Sequence, residues 1–115
     1  LNDASKPVRG SRVLLLGVAY KGGVGDLREA PALKIIRLLR DLGADIAYHD
    51  PHVPELTELG MRSVDLDSEL ATADIVCIVT AHPEVDHERV VREAQLVLDF
   101  RGVTRGMSAQ NIVRL

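Results

Sequence analysis

The chain has 115 residues, of which 46% are hydrophobic and 27% charged, and its net charge is -3. These values are typical of one globular domain with a substantial core. A negative net charge and an aromatic content of 3% argue against a nucleic-acid-binding protein, which needs a basic face or stacking platforms. Because no apolar run approaches the roughly 20 residues that span a bilayer, we also expect no membrane partner.

The segment before the first predicted strand is polar and contains a proline and a glycine. We interpret residues 1–11 as a linker and residues 12–115 as one domain. The chain begins with Leu1 rather than Met, which suggests a piece of a longer protein. A single cysteine, Cys77, and the lack of a secretion signal favour a cytoplasmic location.

Strands and helices alternate after this linker. Residues 13–19 form a continuous apolar run, typical of a strand buried on both faces of a parallel sheet. Apolar residues recur with the period of a helix over 32–42, where Pro31 fits the first turn and Gly43 a left-handed cap. A second strand is predicted at Asp45–His49.

The second half of the chain continues this alternation less regularly. The predicted elements are a short helix at 53–59, a strand remnant at 63–64, a helix at 67–73, a strand at 75–79, a helix at 85–94, a strand at 96–99 and an edge strand at 112–113. The whole pattern predicts an α/β fold, a three-layer Rossmann-like domain with a mostly parallel sheet of about five strands.

The loop between the first strand and the first helix is the first candidate site. It follows the carboxyl end of a strand, where open α/β sheets bind their ligands. Lys21 and Arg28 would suit a phosphorylated or otherwise anionic ligand, since arginine offers a fork of donors and lysine a compact charge. Solvated surface cations explain both residues equally well.

Arg101, in the segment Asp99-Phe100-Arg101-Gly102, is the second candidate. It follows the fourth main strand, and in a parallel sheet it leaves the same edge as Lys21. Two cations at one edge would suit a diphosphate, whereas the alternative is a lone exposed arginine. Residues 80–82 follow the third main strand at this edge, and we interpret His82 as a helix cap rather than a ligand contact.

A dinucleotide-binding site is the competing interpretation. The segment Gly23-Val24-Gly25-Asp26-Leu27-Arg28 imitates the glycine fingerprint, but Arg28 stands at its third glycine and the segment begins six residues after Gly17. Asp50 could serve as the ribose-binding acid, although the following Pro51 favours a turn-initiating role. The sequence therefore does not predict an ordinary NAD fold.

Other reactive side chains are interpreted as structural. His49 and His52 lack a further Cys or His at zinc spacing, so we expect no metal. Cys77 lies inside a predicted buried strand and is interpreted as core. The chain shows binding residues and no catalytic set.

The motifs that identify a family are residues 10–21 (GSRVLLLGVAYK), 26–33 (DLREAPAL), 48–51 (YHDP), 73–74 (AD) and 98–102 (LDFRG). Together they resemble the carboxyl-terminal domain of the UDP-glucose/GDP-mannose dehydrogenase family over nearly the whole chain. The resemblance implies an NAD-dependent oxidoreductase that converts the 6-hydroxymethyl group of a nucleotide sugar into a carboxylate by two successive hydride transfers, for polysaccharide precursor synthesis.

In this family the amino-terminal domain binds NAD and holds the catalytic Cys and Lys, while the carboxyl-terminal domain grips the nucleotide diphosphate. The resemblance implies that this chain is the UDP-sugar-binding half, inactive alone, and that Cys77 inherits no catalytic role. The implied partners are the UDP-sugar substrate, the protein's own amino-terminal domain, and further copies in a homo-oligomer.

The resemblance also assigns roles to individual residues. Tyr20 and Lys21 match the aromatic-Lys pair that contacts the nucleotide sugar. Arg28 matches an arginine that reaches NAD across the domain cleft. Arg101 matches an arginine that contacts the substrate, in some members from a neighbouring subunit.

Four positions depart from the family pattern. Gly22 and Gly23 stand where Lys, Pro or Asp is usual, Ala30 replaces a serine, and Phe100 replaces a threonine. These changes would alter the loop and the hydrogen bonds near the ligand.

Two other interpretations stay open. The chain could be a free-standing module that binds nucleotide sugars or another anion without catalysis. It could also be an α/β domain that serves only dimer contacts. A fingerprint and a cysteine upstream in the parent reading frame would favour the enzyme.

Overall fold

The computed structural model describes residues 10–18, 31–51, 53–56, 59–79, 85–104, 106–107 and 110–114. The helices in this part of the chain are α1 (Pro31–Asp41), α2 (Leu66–Thr72) and α3 (His87–Glu93). The strands are β1 (Arg12–Leu16), β2 (Asp45–His49), β3 (Glu55–Leu56), β4 (Met61–Arg62), β5 (Ile75–Ile78), β6 (Val97–Asp99) and β7 (Ile112–Arg114). None of the described helices is long and apolar enough to pass through a membrane.

Five strands form one parallel sheet in the order β2-β1-β5-β6-β7. The predicted Rossmann-like α/β domain with a mostly parallel sheet is therefore confirmed, including the edge strand near residue 112. Strands β3 and β4 form a separate antiparallel pair, which a bridge between Tyr48 and Ser63 joins to β2.

The sheet is apolar on both faces because helices cover each of them. Val13 and Leu15 of β1 pack in the same cluster as α1, whereas Leu14 and Leu16 pack with residues of α2 and α3. All four side chains are at most 1% exposed. This double burial explains why β1 appears in the sequence as an unbroken apolar run.

Helix α1 presents one apolar side to the sheet. Ala32, Leu33 and Ile36 are buried, whereas Lys34 and Arg37 are exposed. This spacing places the buried residues on one stripe of a helix with 3.6 residues per turn. The sequence therefore predicted the helix and most of its buried face, but Leu42, the last residue of the predicted apolar pattern, follows the helix and is 46% exposed.

The end of α1 is a Schellman motif. The Gly43 N–H donates to the Arg40 carbonyl at 2.9 Å, and the Ala44 N–H donates to the Leu39 carbonyl at 3.0 Å. Gly43 has a φ of 90°, which favours glycine over residues with a Cβ atom. The predicted left-handed cap is confirmed.

Helices α2 and α3 each have an aspartate at the N-cap position. The Asp65 carboxylate accepts from the Ser68 N–H at 3.2 Å, and the Asp86 carboxylate accepts from the Arg89 N–H at 3.2 Å. These caps satisfy N–H groups that have no partner within the helix. The two helices lie within one or two residues of their predicted bounds.

The predicted helix at 53–59 is wrong. Glu55 and Leu56 instead form β3, in which Leu56 is buried and Glu55 exposed. Pro54 disfavours a helical conformation at Val53, whose carbonyl accepts a hydrogen bond from the Tyr48 hydroxyl at 2.9 Å. The pairing with β4 then determines the extended conformation.

Candidate functional site

The carboxyl ends of the parallel strands meet at one edge of the sheet. Strand β1 has β2 on one side and β5 on the other, so the chain changes direction across the sheet at β1. This arrangement creates a topological switch point between β1 and β5 at the carboxyl edge, where open α/β sheets bind their ligands.

Hydrogen bonds from both neighbours define where the chain leaves β1. The Val79 N–H donates to the Leu16 carbonyl at 3.0 Å, and the Gly17 N–H donates to the His49 carbonyl at 2.9 Å. Gly17 has a φ of 84°, which turns the chain out of the strand. Next, the Val18 N–H donates to Asp50 Oδ2 at 2.8 Å.

The backbone of Asp50 is also held by hydrogen bonds. Its N–H donates to Ser63 Oγ at 3.0 Å, and its carbonyl accepts from the Val53 N–H at 3.3 Å. The second bond is that of a β-turn, which agrees with the turn role inferred from Pro51. Because Asp50 is only 2% exposed and its carboxylate binds Val18, it does not offer a ribose-binding acid to a dinucleotide.

The neighbours of Asp50 on β2 are structural. The Tyr48 ring is fully buried, and burial, followed by the charges of Asp50 and Glu55, raises the pKa of its hydroxyl to about 12. His49 Nδ1 lies 2.8 Å from the Val64 carbonyl oxygen, to which it donates. Among the described residues, no group of three or more His, Cys, Asp or Glu side chains is arranged to bind a metal.

A second buried carboxylate shapes the exit of β6. Asp99 Oδ1 accepts from the N–H groups of Arg101 at 2.9 Å and Gly102 at 2.8 Å. Asp99 Oδ2 accepts from the Thr104 N–H at 2.9 Å and from the Thr104 hydroxyl at 2.5 Å. The carboxylate therefore determines how the backbone of residues 101–104 turns after β6.

These bonds keep Asp99 ionised. Asp99 is fully buried, and burial alone would raise its pKa. The hydrogen bonds from Thr104, Arg101 and Gly102 outweigh burial, so the pKa lies below its ordinary value. The sequence pattern indicated Arg101 but not Thr104. Thr104 bonds to Asp99, the carboxylate that also holds the Arg101 backbone. An aspartate at a strand end, followed by glycine and threonine, is the signal that could have identified this turn.

Arg101 lies at the edge that the sequence predicted. Strands β1 and β6 are parallel and separated by β5, so their ends are about two strand spacings, or roughly 10 Å, apart. The Arg101 side chain is exposed at this edge. The exit of β1 and Arg101 therefore open onto the same rim of the sheet.

The other predicted site residues lie outside the described residues. They are Tyr20, Lys21 and Arg28 of the loop after β1, and residues 80–82 after β5. Their roles stay predictions.

The opposite edge of the sheet holds ion pairs that tie elements together. The Arg12 guanidinium donates to both carboxylate oxygens of Glu69 and, at 2.9 Å, to Asp45 Oδ2. The Arg12 N–H donates to Asp74 Oδ2 at 2.9 Å. These bonds connect the starts of β1, β2 and β5 with α2, so this edge is assigned a structural role.

An apolar cavity of about 170 Å³ lies between α1 and the sheet. Its lining includes Val13, Leu39, Cys77 and Phe100, and it contains no group that would bind a phosphate. Cys77 is 2% exposed, and burial raises the pKa of its thiol to about 12. The thiol is therefore part of the core, as predicted, and is no nucleophile.

Comparisons with known sequences agree with this architecture. Residues 14–106 match the model of the UDP-glucose/GDP-mannose dehydrogenase family, UDP binding domain. A UDP-N-acetyl-D-mannosamine dehydrogenase from Pyrococcus horikoshii is 29% identical, covering 82% of this chain and 25% of the relative. The UDP-glucose 6-dehydrogenase AglM from Haloferax volcanii is 34% identical, covering 90% of this chain and 26% of the relative.

A solved UDP-glucose dehydrogenase from Pyrobaculum islandicum superposes with a TM-score of 0.75 at 28% identity, covering 97% of this chain and 27% of that structure. This chain thus spans about a quarter of the length of the relatives that it matches. From the match over residues 14–106 and the shared fold, we conclude that the chain belongs to the UDP-glucose/GDP-mannose dehydrogenase family and contains its UDP-binding domain.

Proposed function

We propose that this chain is the carboxyl-terminal, nucleotide-sugar-binding domain of an NAD-dependent UDP-sugar 6-dehydrogenase. The complete enzyme would oxidise the C6 hydroxyl of the sugar to a carboxylate for polysaccharide precursor synthesis. The observation that carries this proposal is the match of residues 14–106 to the family's UDP-binding domain. The UDP-sugar names of the relatives support uridine as the base.

Tyr20, Lys21 and Arg101 are proposed to bind the UDP-sugar. The position of Arg101 supports its role, because its side chain is exposed at the ligand-binding edge of the sheet. A cation suits the pyrophosphate because charge-assisted hydrogen bonds to phosphate oxygens are strong and directional. Lys21 follows β1 in sequence and would supply a second positive charge.

NAD is proposed to bind mainly to the rest of the protein, with Arg28 reaching it across the domain cleft. The described residues do not fit a dinucleotide site, since Asp50 is buried and bonded to Val18. NAD would accept the hydride, and we assign no step of that transfer to this domain. The domain's contribution is to hold and orient the nucleotide end of the substrate.

The remaining proposals concern the complete protein. Since the chain spans about a quarter of its relatives, we propose that its partners are its own amino-terminal catalytic domain and other copies in a homo-oligomer. By itself the chain would bind the nucleotide without catalysis. A cytoplasmic location stays a prediction.

Isothermal titration calorimetry of the 115-residue chain with UDP tests the binding function. We expect weak binding that Lys21→Ala reduces by about tenfold, because a charged contact to phosphate is lost. Arg92→Ala is the matched control, since Arg92 is an exposed cation in the last turn of α3, away from the carboxyl edge.

Failure of the wild-type chain to bind UDP would contradict the binding function. Equal affinities of Lys21→Ala and the wild type would remove Lys21 from the site. An equal loss in Arg92→Ala would show that general charge, rather than a defined site, attracts the ligand.

A further inference from the structure

The turn that follows β6 presents Arg101 at the carboxyl edge of the sheet. The Arg101 side chain is exposed there, whereas Asp99, two residues earlier, has no exposed surface. The Asp99 Oδ1 atom accepts from the Arg101 N–H at 2.9 Å and from the Gly102 N–H at 2.8 Å. A buried carboxylate thus determines where the backbone of an exposed cation lies.

The backbone of this turn is bonded to the protein itself. Successive N–H groups in a turn can bind an anionic ligand. Here the N–H groups of Arg101, Gly102 and Thr104 all donate to Asp99 instead. The group that this turn can offer a phosphate is therefore the Arg101 guanidinium, so the placement of that side chain matters for binding.

Thr104 holds the other oxygen of the carboxylate. Asp99 Oδ2 accepts from the Thr104 hydroxyl at 2.5 Å and from the Thr104 N–H at 2.9 Å. Thr104 has no exposed surface, and a buried carboxylate that loses a donor is costly to the fold. The hydroxyl therefore fixes the orientation of the carboxylate to which the Arg101 backbone is bonded.

We propose that Thr104 is a positioning residue for nucleotide binding, whose hydroxyl orients the Asp99 carboxylate and thereby holds Arg101 at the carboxyl edge. The proposal rests on the proposed function, in which Arg101 contacts the UDP-sugar, and it assigns Thr104 no contact with the ligand. Hydrogen bonds connect Thr104 to Asp99 and Asp99 to Arg101 directly. The alternative role of Thr104 is stabilisation of the fold alone.

A double-mutant cycle separates these roles. UDP affinity is measured by calorimetry for the wild-type chain, Thr104→Val, Arg101→Ala and the double variant. Valine has nearly the shape of threonine but lacks the hydroxyl, so Asp99 loses one donor. We expect Thr104→Val to weaken UDP binding about fivefold when Arg101 is present and less than about twofold when Arg101 is already alanine. A loss that is equally large in both backgrounds would overturn the proposal.

Two further variants serve as controls. Thr104→Ser keeps the hydroxyl, so its UDP affinity should stay within about twofold of wild type; a loss as large as in Thr104→Val would attribute the effect to packing and overturn the proposal. Thr72→Val makes the same substitution at the end of α2, where the hydroxyl donates to the Glu69 carbonyl, and should also bind within about twofold. An equal loss in Thr72→Val would contradict a role specific to Thr104. Circular dichroism at the titration temperature verifies that each variant is folded.

Hydrogen exchange of the wild-type chain provides a test that does not depend on the folding of a variant. The Thr104 and Arg101 amides exchange when their bonds to Asp99 open. Saturating UDP should slow exchange of both at least about fivefold, and more than that of Ala44, whose N–H is bonded at the far end of α1. Equal slowing of all three amides would contradict a local coupling between Thr104 and the ligand.

The same titrations separate this proposal from the function on which it rests. A wild-type chain that binds no UDP would overturn the proposed function itself. Normal binding by a folded Thr104→Val, together with weakened binding by Arg101→Ala, would overturn only the role of Thr104.

Discussion

Asp99 is a charged group that the protein keeps in its interior. Its side chain has no exposed surface, yet hydrogen bonds from Arg101, Gly102 and Thr104 lower its pKa. The same bonds shape the backbone that carries Arg101 to the rim. One carboxylate therefore contributes to stability and also determines the backbone position of Arg101.

The acidity of Asp99 predicts a pH-dependent contribution to stability. Because its folded pKa lies below the unfolded value of about 3.9, this contribution is present above that pH and is lost as pH falls through the folded pKa. Asp99→Asn should lower the free energy of unfolding by about 1–3 kcal/mol at pH 7, and the difference from wild type should shrink toward pH 2. Urea denaturation across this range measures both values.

Asp41→Asn is the control for this measurement, since Asp41 is exposed at the end of α1. It should change the free energy of unfolding little at any of these pH values. A difference between wild type and Asp99→Asn that stays constant from pH 7 to pH 2 would refute the assignment.

The exposed Arg101 at the carboxyl edge of the sheet was easier to predict from the sequence than the buried contacts near that edge. Arg101 was found because an arginine after a strand end suggests a phosphate contact. The bond between Asp50 and Val18 was not, because the two residues are 32 positions apart and meet only once the strands pair. Local patterns carry no information on such a contact.

Gly43 fixes the connection from α1 to β2. Its positive φ and the two hydrogen bonds of the Schellman motif end the helix at Asp41, four residues before β2 begins at Asp45. A Cβ atom in this conformation is strained. We expect Gly43→Ala to lower the free energy of unfolding by about 1 kcal/mol, measured by urea denaturation.

Arg37→Ala provides the comparison within the same helix. Arg37 is exposed in the helix interior, where alanine is well tolerated, so this variant should change stability by less than about 0.5 kcal/mol. Finding Gly43→Ala as stable as wild type would mean that the cap does not limit the end of α1.

Elements with a strong period were predicted well, and those defined by a distant partner were not. β1, α1 and β2 have continuous or periodic apolar patterns that match their burial. The predicted helix at 53–59 failed because β3 is only two residues long and depends on pairing with Met61 and Arg62. Short paired segments leave too little periodicity to be recognised.

The two edges of the sheet carry arginines in different surroundings. The amino edge is held by Arg12 with Glu69 and Asp45, whereas the carboxyl edge exposes Arg101. Substitutions of Arg12 and Arg101 should therefore affect different properties.

Arg12→Met should lower the free energy of unfolding by about 1–2 kcal/mol, because it leaves the partly buried Glu69 without its cation. The UDP affinity of this variant should stay within about twofold of wild type. Arg101→Ala should weaken UDP binding by about tenfold and change stability by less than about 0.5 kcal/mol. Urea denaturation and calorimetry on the same samples test both statements. A stable Arg12→Met chain with weakened binding would contradict the division.

Cys77, on the central strand β5, is a natural probe of how often the folded core becomes accessible to solvent. The chain has no other cysteine, and this thiol is 2% exposed with a pKa of about 12. A thiol reagent such as Ellman's compound reacts with the thiolate, which becomes accessible only when the sheet separates from α1 or the chain unfolds. The rate of Cys77 labelling under native conditions would then measure how often the core opens or the chain unfolds, without an introduced probe.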